Sequence, residues 1–133
     1  MFAIRPDLAA LVLRVVLGSV LLAHSLLKIF VFTLPGTAGF FASVGFPSWA
    51  AYVVAPIEFA CGLALLVGFQ SRISSAVCLP ILLGALFVHS GNGWLFTNSN
   101  GGWEYPAVLV FLAVCVIFAG NGAYSVQRSA PSH

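Results

Sequence analysis

The chain has 133 residues, of which 61% are hydrophobic and 6% charged, with five Lys or Arg against three Asp or Glu and a formal net charge of +2. Ordinary soluble domains carry roughly 45–50% apolar and about 25% charged residues, and a chain this short could not hide so much apolar surface from water. These figures exclude a soluble enzyme, a disordered tail and a basic nucleic-acid binder, and leave an all-α integral membrane protein forming one domain over residues 1–133.

Four stretches are long and apolar enough to cross a hydrocarbon core of roughly 30 Å. The first is predicted over about residues 8–32. It exceeds the usual apolar region of about 7–15 residues in a cleaved leader, contains Arg14 and lacks a small-x-small cleavage pattern, so it is expected to stay as a span. At about 100° per residue, Arg14, His24, Ser25 and Lys28 fall within one arc of this helix. The connector 33–48 has no charge and mixes Pro35, Gly36, Gly39, Gly45 and Pro47 with Phe40, Phe41 and Phe46. A segment this apolar and turn-rich is expected to re-enter the membrane or lie on its surface.

The second span is predicted over about 49–69, with Pro56 and Glu58 inside it, and a short basic connector 70–72 follows. The third covers about 73–89, contains Pro80 and closes on His89. The connector 90–102 reads SGNGWLFTNSNGG and has no Lys or Arg. Its Asn98–Gly102 stretch reads either as an anion-binding turn or as a plain glycine-rich loop. The fourth span, about 105–119, is preceded by Glu104, and a polar tail with Arg128 ends the chain.

Arg5, Arg72 and Arg128 fall on one side of this four-helix bundle, so both termini are expected to be cytoplasmic. Trp49, Tyr52, Trp94, Trp103 and Tyr105 cluster at the opposite interface, where aromatic rings anchor well. Gly18 and Gly62 are expected to be close-packing points between helices, and Pro56 and Pro80 to kink their spans. Cys61, Cys78 and Cys115 are isolated, with no C-x-x-C, and read as small apolar side chains.

A charge at the bilayer centre costs about 2.5–3.5 kcal/mol on insertion scales, so the ionisable residues within the spans need partners. From the helical rise, Glu58 lies about 14 Å below the outer face, at a level between Arg14 and His24. It is expected to pair with Arg14, or with His24 from the other side. An Arg14–Glu58 pair reads either as a clamp that fixes register or as a working pair. His24 and Lys28 share the outer level with His89, Asn92, Asn98 and Glu104, and together these should line an outward-opening polar cavity. Trp94, Phe96, Trp103 and Tyr105 are expected to supply its flat walls. His24, His89 and Glu104 lack the H-x-x-H or E-x-x-H spacing of a metal site, and no metal is expected.

The pieces LRVVLGSVLLAHSLLKIF at 13–30, PGTAGFFASVGFP at 35–47, IEFACGLALLVGFQSR at 57–72 and VHSGNGWLFTNSNGGWEYPAVLV at 88–110 carry a resemblance that covers nearly the whole chain in order, with GAYSV at 122–126 as a weaker match. The sequence resembles the DoxX family of small four-helix membrane proteins. That resemblance implies a bacterial-type inner-membrane protein linked to redox chemistry, since the family takes its name from a subunit of a thiosulfate:quinone oxidoreductase. It implies Arg14, His24, Lys28, Glu58, His89, Trp103 and Glu104 as the functional set. Leu27 and Ser25 depart from the Gln and Gly frequent in relatives, and Ala123 and Gln127 from a basic and an acidic residue.

Two functional readings follow. In the first, the chain is a quinone-reactive oxidoreductase subunit, with His24, Lys28, His89 and Glu104 as catalytic candidates and Asn92, Trp103 and Tyr105 as head-group contacts. Histidines relay protons near neutral pH, and Lys28 would stabilise negative charge on a reduced head group or bind an oxyanion such as thiosulfate. The chain has no recognisable haem, flavin or iron–sulfur motif, so within the lipid bilayer it would either move electrons only between bound substrates or borrow a cofactor-bearing partner subunit. In the second, the bundle is a non-enzymatic scaffold or small-solute binding protein.

Overall fold

The computed structural model describes residues 3–95, 97–99 and 101–127. Arg128 and Phe96 therefore lie outside the described residues. Among those described, every regular element is helical. α1 (Pro6–Leu26) opens on Pro6, whose missing N–H is not needed in a first turn. Asp7 beside it suits the positive end of the helix, and it forms an exposed 3.1 Å ion pair with Arg5. The helix runs on into a π turn (Leu27–Val31), where the Phe32 N–H donates to Leu27 O at 2.8 Å.

The uncharged connector folds as a short helix, α2 (Leu34–Ser43), whose first turn is capped by the Thr33 hydroxyl accepting from Gly36 N–H at 3.2 Å. α2 packs on α3 and on the π turn. α3 (Ala50–Val67), α4 (Ser71–His89) and α5 (Glu104–Ala119) follow. α1 with its π turn, α3 and α4 are long and apolar enough to cross a membrane, and α5, at 16 residues, is shorter. With α1 counted together with its π turn, the four long helices lie within two residues of the predicted spans at either end.

α1 packs most extensively on α3, and α4 on α5, with lighter contacts joining the two pairs. The α1–α3 crossing is a backbone contact. A Cβ on Gly18 would lie 2.9 Å from Gly62 O, and one on Gly62 would lie 2.9 Å from Leu22 N. Only glycine lets two helices meet at that distance. Leu17, Leu21, Leu65, Leu82, Leu109 and Val116 fill the interior between the pairs, with Cys61, Cys78 and Ala113. Cys115, by contrast, faces outward.

At the terminal end, the segment after α5 ties three elements together. Ala123 N–H donates to Asp7 O at 3.0 Å, and Val126 N–H to Val67 O at 2.9 Å. The N–H groups at the start of α4, on the cap residue Gln70 and on Ser71, find remote partners: Gln127 Oε1 accepts from Gln70 N–H at 2.7 Å, and Asn121 Oδ1 from Ser71 N–H at 3.0 Å. Arg5 and Arg72 therefore sit at this end of the bundle, while α2 and the 90–103 loop sit at the other.

Candidate functional site

A cavity of about 850 Å³ opens between the two helix pairs at the end away from the termini. His24 and Lys28 reach it from α1 and the π turn, Glu58 from α3, His89 from α4 and Tyr105 from α5. Its aromatic walls are Phe32, Phe40, Phe41, Phe46 and Tyr105. Most of that wall comes from α2 and its flanks. The expected Trp94 and Trp103 are not part of it, because the 90–103 loop folds back on itself instead. Trp103 N–H donates to Gly93 O at 2.9 Å, and Glu104 N–H to Trp94 O at 3.0 Å.

Glu58 does not pair with Arg14, nor with His24. Its Oε1 accepts from Lys28 Nζ at 2.6 Å. The reason is the glycine crossing. It sets Gly62 level with residues 18–22 of α1, so Glu58, one turn further out, lies closer to Lys28 than to Arg14. Lys28 consequently bends inward to the carboxylate rather than outward to the interface. Its backbone is held too, since Thr37 Oγ1 on α2 donates to Lys28 O at 3.3 Å.

Arg14, fully buried, has a different task. Its guanidinium donates to five carbonyls: Leu65 and Leu66 at the end of α3, and Asn121, Ala123 and Tyr124 in the tail, at 2.6–3.0 Å. A cation among the last carbonyls of a helix meets its negative end and satisfies groups that the helix itself leaves open. The Leu65 carbonyl that Arg14 binds lies about 10 Å from Glu58 along α3, seven steps of the helical rise.

His24 Nδ1 lies 2.8 Å from Val20 O. A carbonyl can only accept, so Nδ1 carries the proton, and in a neutral imidazole Nε2 is then the acceptor. The ring stacks on Tyr105 with centroids 6.0 Å apart and planes at 27°. Asn92 and Glu104, like Trp103, are not on the cavity wall. Asn92 Nδ2 instead donates to Gly101 O at 2.8 Å and holds the loop beside His89. The structure thus brings together His24, Lys28, His89 and Tyr105, adds Glu58, and leaves Asn92, Trp103 and Glu104 around the rim loop. The α2 phenylalanines had a sequence signal, three rings in an uncharged connector, but not one that placed them over a cavity.

Among the described residues, no group of three His, Cys, Asp or Glu side chains could share a metal ion. The family model described as DoxX matches residues 9–91, well over half the chain. The chain belongs to the DoxX family. A relative from Bacillus subtilis (strain 168), named "Putative oxidoreductase CatD", is 36% identical over 115 residues, spanning 86% of this chain and 81% of its own. No solved structure gives a significant match. The DoxX match covers α1, α2, α3 and α4, and so every cavity residue except those of α5.

Proposed function

We propose that this DoxX-family chain is the membrane subunit of a quinone-linked oxidoreductase, with the head-group site in the cavity and both termini on the cytoplasmic face of a bacterial-type inner membrane. The observation that carries the reading is the convergence of His24, Lys28, Glu58, His89 and Tyr105 on one aromatic-walled space of about 850 Å³. Few, converging polar groups between flat apolar walls suit a planar, lipid-soluble ring. A quinone supplies two-electron, two-proton chemistry when bound. Of this chain's residues, the phenylalanine rings exclude water, Lys28 supplies positive charge, and His24, His89 and Tyr105 can hold or pass protons. The name carried by the Bacillus subtilis relative supports an oxidoreductase role. Electrons reach the site from a partner subunit, and His24, Lys28 and His89 are the residues proposed to act in the reaction.

The test is quinone binding and reduction by the purified protein in detergent, with and without thiosulfate. His24→Ala is expected to weaken binding of the reduced quinol about tenfold, the worth of one good hydrogen bond from a ring hydroxyl to Nε2. Absence of quinone binding by the parent protein would remove the reading and favour a scaffold or solute-binding role.

A further inference from the structure

We propose that Glu58 is itself a ligand contact: its second carboxylate oxygen accepts a hydrogen bond from a phenolic hydroxyl, so the cavity takes the reduced, hydroxyl-bearing head group in preference to the oxidised ring. This rests on the quinone reading of the same cavity and deepens it.

Among the described residues, three buried side-chain oxygens have no hydrogen-bond partner: Ser71 Oγ, Ser75 Oγ and Glu58 Oε2. The two serines are not on the cavity wall, whereas Glu58 is. Glu58 is only 3% exposed, and Lys28 engages Oε1 alone. A buried carboxylate oxygen with no donor is costly, and native interiors almost always supply one. The Thr37 hydroxyl on α2 does not do so, since its one proton is shared between Thr33 O and Lys28 O. The missing donor therefore comes from what occupies the cavity.

The oxidised ring presents only acceptors, and would set a carbonyl lone pair against Glu58 Oε2. The reduced ring presents hydroxyl donors. Lys28 donates to Oε1, and Oε2 is the acceptor that this pair leaves open. His24, on the wall of the same cavity, offers Nε2 as a second acceptor for such a donor.

The experiment compares a 4-alkylphenol with its methyl ether, neither of which undergoes the redox reaction, by calorimetry on the full chain in phosphatidylcholine nanodiscs. Empty nanodiscs correct for partitioning. The ether keeps the ring, the tail and an acceptor oxygen but has no donor. The phenol is expected to bind the parent protein at least tenfold more tightly. In the double variant Lys28→Met with Glu58→Leu, which replaces the pair by apolar side chains, the preference should shrink to less than threefold. Equal binding of phenol and ether would overturn the inference, with water then satisfying Oε2, and would leave the cavity as a ring site. A phenol preference retained in the double variant would also overturn it, because the acceptor would lie elsewhere. Binding of neither compound would overturn both this inference and the site proposed above. Should the double variant not fold, the comparison on the parent protein still decides, because equal affinity there is fatal.

Discussion

Arg14 shows how one side chain can close one end of a membrane bundle. The last four carbonyls of α3 all have partners: Ala64 O takes Gly68 N–H and Phe69 N–H, Leu65 O and Leu66 O take Arg14, and Val67 O takes Val126 N–H. Within a membrane no water replaces a lost donor, so each of these bonds matters. Arg14→Met is expected to cost about 3–5 kcal/mol and to release the 121–127 segment. Arg14→Lys should restore little, because a compact ammonium with three donors cannot reproduce a planar fork that reaches five carbonyls. Unfolding in mild detergent checks the first part, and hydrogen exchange at the Ala123 and Val126 amides checks the second. Full protection of those amides in Arg14→Met would show that the tail holds without the guanidinium. Gly68 belongs to the same device. It has φ +78°, and an added Cβ would run into Ser125 and lie 3.1 Å from Arg14 Cζ.

Helix pairing is the next scale, and the α1–α3 crossing governs it. Gly18 and Gly62 place backbone on backbone, and this contact decides which ionisable residues share a level. Gly18→Ala and Gly62→Ala should each destabilise the protein by about 1–3 kcal/mol, the usual cost of overpacking. The two should be clearly less than additive in the double variant, because the first substitution already separates the helices at the shared contact. Thermal unfolding in detergent measures the cycle, and strict additivity would mean that the glycines act separately. α2 acts at this scale too. Its Phe40 and Phe41 wall the cavity, while its Thr37 hydroxyl holds the backbone of the π turn that carries Lys28. A carboxylate from α3 and a hydroxyl from α2 thus meet around Lys28 in the π turn.

Seen whole, the molecule is closed at one end and hollow at the other. The tail, the α3–α4 turn and the start of α1 are stitched by backbone and amide hydrogen bonds at the terminal end. The cavity lies between the α1–α3 and α4–α5 pairs at the far end. Trp49, Tyr52, Trp94, Trp103 and Tyr105 are all exposed at that far end, as suits an interfacial aromatic belt. On the proposed orientation, a cysteine placed at Arg72 in a cysteine-free background should react with an impermeant thiol reagent only after the membrane is opened. One placed at Gly91 should react in intact cells. The reverse pattern would turn the cavity towards the cytoplasm.

Much of this was legible in the residues alone. Composition dictated the membrane setting, and uninterrupted apolar runs set the helix limits to within two residues, because lipid admits no other way to satisfy the backbone. Gly18 and Gly62 announced a close crossing, and His24, Lys28 and His89 announced a polar end to the bundle, although Asn92, Asn98 and Glu104, expected with them, are not on the cavity wall. What the linear chain could not say was the vertical offset between α1 and α3. Counting the helical rise from assumed membrane faces put Glu58 opposite Arg14, whereas the crossing put it within reach of Lys28 and left Arg14 to the carbonyls at the other end. Nor could the chain say that α2, rather than the tryptophan loop, roofs the cavity. Hydropathy and periodicity are properties of one segment at a time, and they fix what a helix is and which arc of it is polar. Which charges meet depends on the closest approach of two backbones, and that is a distance only the packed tertiary structure contains.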